Sequence, residues 1–257
     1  EPCFIIYAGD SGASMLYEDD GISYDYDLDS IIENSTVTIP GFEVEYYGFM
    51  EREMGSYMEI AYAATKRDPE VWVGGVGMRN GDYLAVGATA TTKTQPSGGY
   101  AYYKDGKLTL KNYSYEGQGY KYDQDDAYYA TVYTERDLTL ELVGNNTLKQ
   151  TKVFSEAIYV GNPYDGSLTI QGDGSLNATA SYGIYASKTI TVSGGTIIST
   201  GSFGGMRTYI QDIIINGGTV TVSGEYGLRA VNGSVKINGG NVTATGSTQA
   251  ISYGRYG

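Results

Sequence analysis

One short phrase recurs from Leu138 to the C-terminus: an apolar triplet, a glycine-rich turn, a Thr/Val-rich run and a four-residue box. The triplets are Leu138-Thr139-Leu140, Leu168-Thr169-Ile170, Ile190-Thr191-Val192, Ile213-Ile214-Ile215 and Val235-Lys236-Ile237. From Ile190 to Val235 their first residues advance by 23 and then 22 positions. A repeat of that period, rich in β-branched residues and lacking a helical stripe, predicts a β-solenoid, in which each coil buries its apolar face only by stacking on its neighbours. Leu108-Thr109-Leu110 reads as an early copy, 30 residues before Leu138. The box reads Thr131-Val132-Tyr133-Thr134, Ala157-Ile158-Tyr159-Val160, Gly183-Ile184-Tyr185-Ala186, Gly205-Met206-Arg207-Thr208, Gly227-Leu228-Arg229-Ala230 and Ala250-Ile251-Ser252-Tyr253. Its second residues lie 26, 26, 22, 22 and 23 apart, which makes six coils visible.

Side chains alternate along a strand, so Val132, Ile158, Ile184, Met206, Leu228 and Ile251 are predicted to stack inward as an aliphatic ladder. The triplets supply a second ladder, and Leu176, Ile197, Val220 and Val242 a third. Three runs per coil predict a three-sided parallel β-helix, right-handed by analogy with parallel crossovers. Outward then falls a column of Tyr133, Tyr159, Tyr185, Arg207, Arg229 and Ser252. The small residues Thr131, Ala157, Gly183, Gly205, Gly227 and Ala250 are expected on the same face, two positions earlier. At about 4.8 Å per coil the column extends roughly 24 Å, room for a short oligosaccharide. Tyrosine rings leading into arginine suit pyranose stacking and hydroxyl hydrogen bonding, so Tyr133, Tyr159, Tyr185, Arg207 and Arg229 are the candidate ligand-binding residues. The same ladder also stabilises neighbouring coils, by about 0.2–1 kcal/mol per pair, without any ligand.

Composition narrows the chemistry. Histidine is absent and Cys3 is the single cysteine, which removes His-dependent triads, internal disulfides and Cys-based zinc sites. A formal charge of -13 disfavours nucleic acid and anionic membranes as partners, and polyanionic sugars too unless calcium or clustered Arg intervenes. No apolar run reaches the roughly 18 residues of a membrane span. The 27 tyrosines must lie partly at the surface, where a ring offers an apolar face while its hydroxyl stays wet. The chain begins Glu1-Pro2-Cys3, which reads as a processed or excised chain. Scarce Cys with abundant Gly, Ser, Thr, Asn and Tyr fits a secreted bacterial surface protein.

Paired carboxylates are the catalytic apparatus left open. In the repeats, Glu135, Asp137, Glu141, Glu156, Asp165, Asp173, Asp212 and Glu225 read as scattered, with no acidic column, so no catalytic residue is assigned. Asp25, Asp27 and Asp29 have the opening spacing of a calcium loop, but Ser30 stands where its Gly belongs and Thr36 where its bidentate Glu belongs. They are a weak metal candidate, calcium the one cofactor considered. Asp123, Asp125 and Asp126 are read in the same way.

Residues 1–69 are the least repetitive and read as a β-rich cap or small domain, with strands at Cys3–Tyr7, Ala13–Tyr17, Ser35–Ile39, Phe42–Tyr47 and Tyr57–Ala63. Lys66-Arg67-Asp68-Pro69 marks the boundary, and 70–257 is the β-helix. Asn80-Gly81-Asp82 carries a hairpin signal.

The runs Val71-Trp72-Val73-Gly74-Gly75-Val76 and Gly99 to Tyr113, with Leu140 to Leu148 and the Ser193-Gly194-Gly195-Thr196 repeats, resemble large surface proteins of gut Firmicutes. Those proteins carry β-helix modules described as carbohydrate-binding. The resemblance covers about Glu70 onward; it implies the architecture, and it brings no catalytic residues. Leu16-Tyr17-Glu18-Asp19-Asp20-Gly21 and Tyr24 are similar to an acidic turn in small β-domains that follow some glycoside hydrolase barrels, which by itself implies no activity.

The sequence thus predicts an all-β, right-handed three-sided parallel β-helix. Its expected role is a non-catalytic extracellular or cell-surface module that binds a carbohydrate or a surface protein, without nucleic acid or membrane insertion. A structural stalk or adhesin spacer is the alternative, and a polysaccharide-degrading enzyme the third reading.

Overall fold

The computed structural model describes residues 4–8, 42–51, 58–66, 69–123, 127–162 and 165–254. The chain divides into two compact units, Glu1–Asp68 and Pro69–Gly257. In the first, β1 (Phe4–Ala8), β2 (Phe42–Glu51) and β3 (Met58–Lys66) form an antiparallel sheet in the order β1-β3-β2. The strands expected at Ala13–Tyr17 and Ser35–Ile39, Cys3, and the metal candidates Asp25, Asp27 and Asp29 lie outside the described residues.

The second unit is a parallel β-solenoid with two ladders of strands. One contains β8 (Lys107–Lys111), β12 (Leu138–Val143), β15 (Leu168–Gly172), β17 (Ile190–Val192), β19 (Ile213–Ile215) and β21 (Val235–Ile237), all paired in parallel. Leu138, Leu168, Ile190, Ile213 and Val235 fall in register, and the first four are buried. The early copy differs by two residues from the expected spacing, because Leu108 pairs with Leu140 and Leu110 with Leu142. A slip of two preserves the inward face, so burial cannot distinguish the two registers. The tight turn Asp105-Gly106, at φ 49° and 75°, sets where β8 begins.

The second ladder holds the boxes. They lie in β11 (Tyr129–Thr134), β14 (Ser155–Val160), β16 (Ser175–Ala186), β18 (Thr196–Thr208), β20 (Thr219–Ala230) and β22 (Asn241–Tyr253). Val132, Ile158, Ile184, Met206 and Leu228 are wholly buried and in register, and Ile251 continues the row into a more exposed final rung. From β16 onward the Thr/Val run and the box form one long strand, with register shifts at Ala180/Tyr182, Thr200/Gly204 and Gly224/Tyr226. The two runs expected as separate ladders therefore share one hydrogen-bonded sheet, bent at a bulge.

Antiparallel strands stand at the other end of both ladders. β4 (Val71–Val73) and β5 (Val76–Met78) form a hairpin that pairs with β11, while β6 (Asp82–Ala85) and β7 (Tyr100–Lys104) extend the other sheet beyond β8. The hairpin turn is Gly74-Gly75, whose φ values of 59° and 84° suit a type I′ turn. Asn80-Gly81 instead crosses from one sheet to the other, where buried Asp82 accepts the Arg79 N–H at 2.8 Å and pairs with Lys93 at 2.7 Å.

A candidate aromatic and arginine strip

The box places Tyr133, Tyr159, Tyr185, Arg207, Arg229 and Ser252 on successive rungs in register, as predicted. Trp72 of β4 pairs with Tyr133 and heads the column. Parallel strands impose the alignment, and flat rings fill the rung spacing: Tyr133 and Tyr159 stack at 5.6 Å, Tyr159 and Tyr185 at 5.0 Å, with interplanar angles of 8° and 6°.

The expected small-residue border is not on this face. Ala157 is fully buried in the core, and a Cβ on Gly183 would collide with Ser199 Oγ. Thr131, Ala157, Gly183, Gly205 and Gly227 are buried and Ala250 is exposed on the final rung, so strict alternation fails at the start of the box; from β16 onward a register shift precedes it.

The column is not uniformly open. After β9 (Ser114–Gly117), the short strand β10 (Tyr120–Lys121) pairs antiparallel with β11, Tyr120 opposite Ala130 and Lys121 opposite Tyr129. Tyr120 stacks on Trp72 at 4.4 Å, and Tyr122 lies at 5.1 Å from Tyr133 and 4.7 Å from Tyr159, within 9° of parallel to both. Tyr133 consequently retains only 6% exposure. Tyr159, Tyr185, Arg207 and Arg229 remain half-buried.

Three residues before each column position lies a second in-register row, Ala130, Glu156, Tyr182, Gly204 and Tyr226. Glu156 is 5% exposed and accepts the Tyr122 hydroxyl at 2.9 Å. Burial raises its carboxyl to about 7, opposed by the Tyr122 hydrogen bond and the charge of Arg207. Arg207 lies 5.1 Å from the Tyr182 ring centre and 5.5 Å from that of Tyr185, and donates to the Tyr182 hydroxyl at 2.9 Å. Arg229 lies 4.2 Å from the Tyr226 ring centre. Beside this row Phe154 and Phe203 are 55% and 39% exposed and stack at 6.4 Å, with Phe203 5.6 Å from Tyr182.

Burial, as the largest cause, pushes the Tyr159 hydroxyl up to about 12 and those of Tyr122 and Tyr133 well above the ordinary phenol range. Tyr133 also donates to Glu135 at 2.9 Å. These phenols stay protonated near neutrality and can act as hydrogen-bond donors.

The offset of three from the box residues was readable in the sequence for Tyr182 and Tyr226. Glu156 shares that offset but looked like one more scattered acid. Tyr122 has no repeat partner, since it belongs to an irregular excursion. A shallow depression on the other sheet, lined by Tyr102, Lys104, Asp105, Lys107, Thr109 and Thr139, carries one acid between two lysines and supplies no carboxylate pair. Among the described residues, no group of three or more acidic or sulfur side chains gathers as a metal site.

No family model, curated protein or solved structure matches the chain.

Proposed function

We propose that this protein is a non-catalytic extracellular or cell-surface module that binds a glycan along the Tyr/Arg column, of the kind carried by surface proteins of gut Firmicutes. The observation that carries the reading is the in-register run Tyr159, Tyr185, Arg207 and Arg229, half-buried and stacked on one another, which lines up ring edges, phenol hydroxyls and guanidinium groups on neighbouring rungs. Pyranose rings present C–H faces to aromatics and hydroxyls to such donors. Glu156 is nearly enclosed and its carboxyl is held by the Tyr122 hydroxyl, with no second carboxylate in the row beside it, so the strip lacks the acid pair that glycoside hydrolysis uses.

Isothermal titration against a panel of neutral and charged oligosaccharides tests this. Binding of at least one glycan, weakened tenfold or more by Tyr159→Ala with Tyr185→Ala in a folded protein, supports the proposal. Binding that is unchanged in that variant removes the strip from consideration. Lack of binding to every glycan favours the structural-stalk reading.

A further inference from the structure

We infer that Arg207 and Arg229 form an anion-recognition site within the strip, and that the glycan it takes is acidic, bearing carboxylate or sulfate. The inference rests on the glycan reading above and names the substrate class for the same residues.

Arg207 and Arg229 are direct partners on adjacent parallel strands. Like charges directly opposite each other in a sheet are unfavourable, and nearby acids usually relieve them. The described ion pairs are Lys93–Asp82, Arg136–Glu70, Lys149–Glu116, Lys188–Asp165 and Lys236–Asp212; neither Arg207 nor Arg229 takes part in one. This is notable in a chain of formal charge -13. Glu156 tempers the charge of Arg207 but is nearly enclosed, and its carboxyl is engaged by Tyr122. Within the guanidinium of Arg207 one terminal nitrogen donates to the Tyr182 hydroxyl and Nε is buried without an acceptor, so its remaining terminal N–H groups are the donors left for a ligand.

The aromatic rings explain how the pair is held. Tyr182 and Tyr185 flank Arg207, and Tyr226 lies against Arg229. A guanidinium held beside aromatic rings keeps N–H donors that match the oxygens of a carboxylate or sulfate; in Arg207 one terminal nitrogen is taken by the Tyr182 hydroxyl, and Arg229 lies closer to its ring, at 4.2 Å. An anion placed between adjacent rungs would relieve the repulsion while its sugar ring lies along Tyr185. The expected general aversion to polyanionic sugars is locally reversed by two clustered arginines.

The test is calorimetric titration of the full chain with oligogalacturonate, a sulfated oligosaccharide and a neutral oligosaccharide of equal length, each at low and high salt. Circular dichroism monitors folding, and Arg207→Gln with Arg229→Gln is compared with the double Lys variant. Acidic glycan binding that weakens with salt, falls at least tenfold in the Gln pair and is partly kept by the Lys pair supports the inference. The uronate and sulfate arms identify which anion is preferred. Equal binding of neutral and acidic glycans, or acidic binding unchanged in a folded Gln pair, overturns the anion site while leaving the glycan reading intact. Failure of every oligosaccharide overturns both, as does binding of an acidic peptide alone. If the Gln pair does not fold, wild-type charge preference and salt dependence decide: a salt-insensitive preference for the neutral glycan overturns the inference.

Discussion

Glu156 makes the stability of the solenoid depend on pH in an unusual direction. Its carboxyl rises from 4.5 to about 7 in the folded chain, chiefly through burial, so the folded state holds this proton more tightly than the unfolded state. The associated stabilisation is fully present below pH 4.5 and is lost as pH rises towards 7. A shift of that size corresponds to about 3 kcal/mol. Glu156→Gln keeps an acceptor for the Tyr122 hydroxyl and removes the titration. Urea unfolding of both proteins at half-unit steps from pH 4 to 8 should give a difference that moves steadily in favour of the Gln variant, by roughly 2–3 kcal/mol. Subtracting the two curves cancels shared groups such as Asp165 and Asp212, whose carboxyls are lowered mainly by Lys188 and Lys236. A flat difference curve would refute the claim that burial raises Glu156.

Further expectations concern packing and the covering segment. Ile184→Ala empties a fully buried position midway along the box ladder and should cost about 2–5 kcal/mol in chemical denaturation. Gly218→Ala combines φ 82° with a contact between the new Cβ and the Gly195 carbonyl, so a loss above about 1 kcal/mol is expected from the same assay. Phe154 is exposed yet sits at φ 55°, so Phe154→Gly should raise the unfolding midpoint or leave it unchanged; a marked fall would show that its ring contacts outweigh the strain. The sole tryptophan stacks on Tyr120, so Tyr120→Ala should alter Trp72 emission, and an unchanged spectrum would argue against the stacked geometry.

Much of this architecture was legible because the β-solenoid writes itself in repeats. The inward rows Val132 to Leu228 and Leu138 to Ile213 follow from alternation and period alone. The two-residue error at Leu108 arose because registers differing by two bury the same face. Alternation broke down at Gly183 and Ala157, at the start of the box. The outward column was correctly aligned, but its exposure was not legible: Tyr120 and Tyr122, from a segment outside the repeat, cover its first rungs. Glu156 gained its significance only from its enclosure, which a sequence of scattered acids does not display.

The central claim is that the strip is the glycan site, and locating a bound saccharide tests it most directly. A crystal structure of the complex with the best-binding oligosaccharide should show sugar rings against Tyr159 and Tyr185, with the next unit reaching Arg207 and Arg229. A saccharide bound only elsewhere, with these four side chains untouched, would contradict the account.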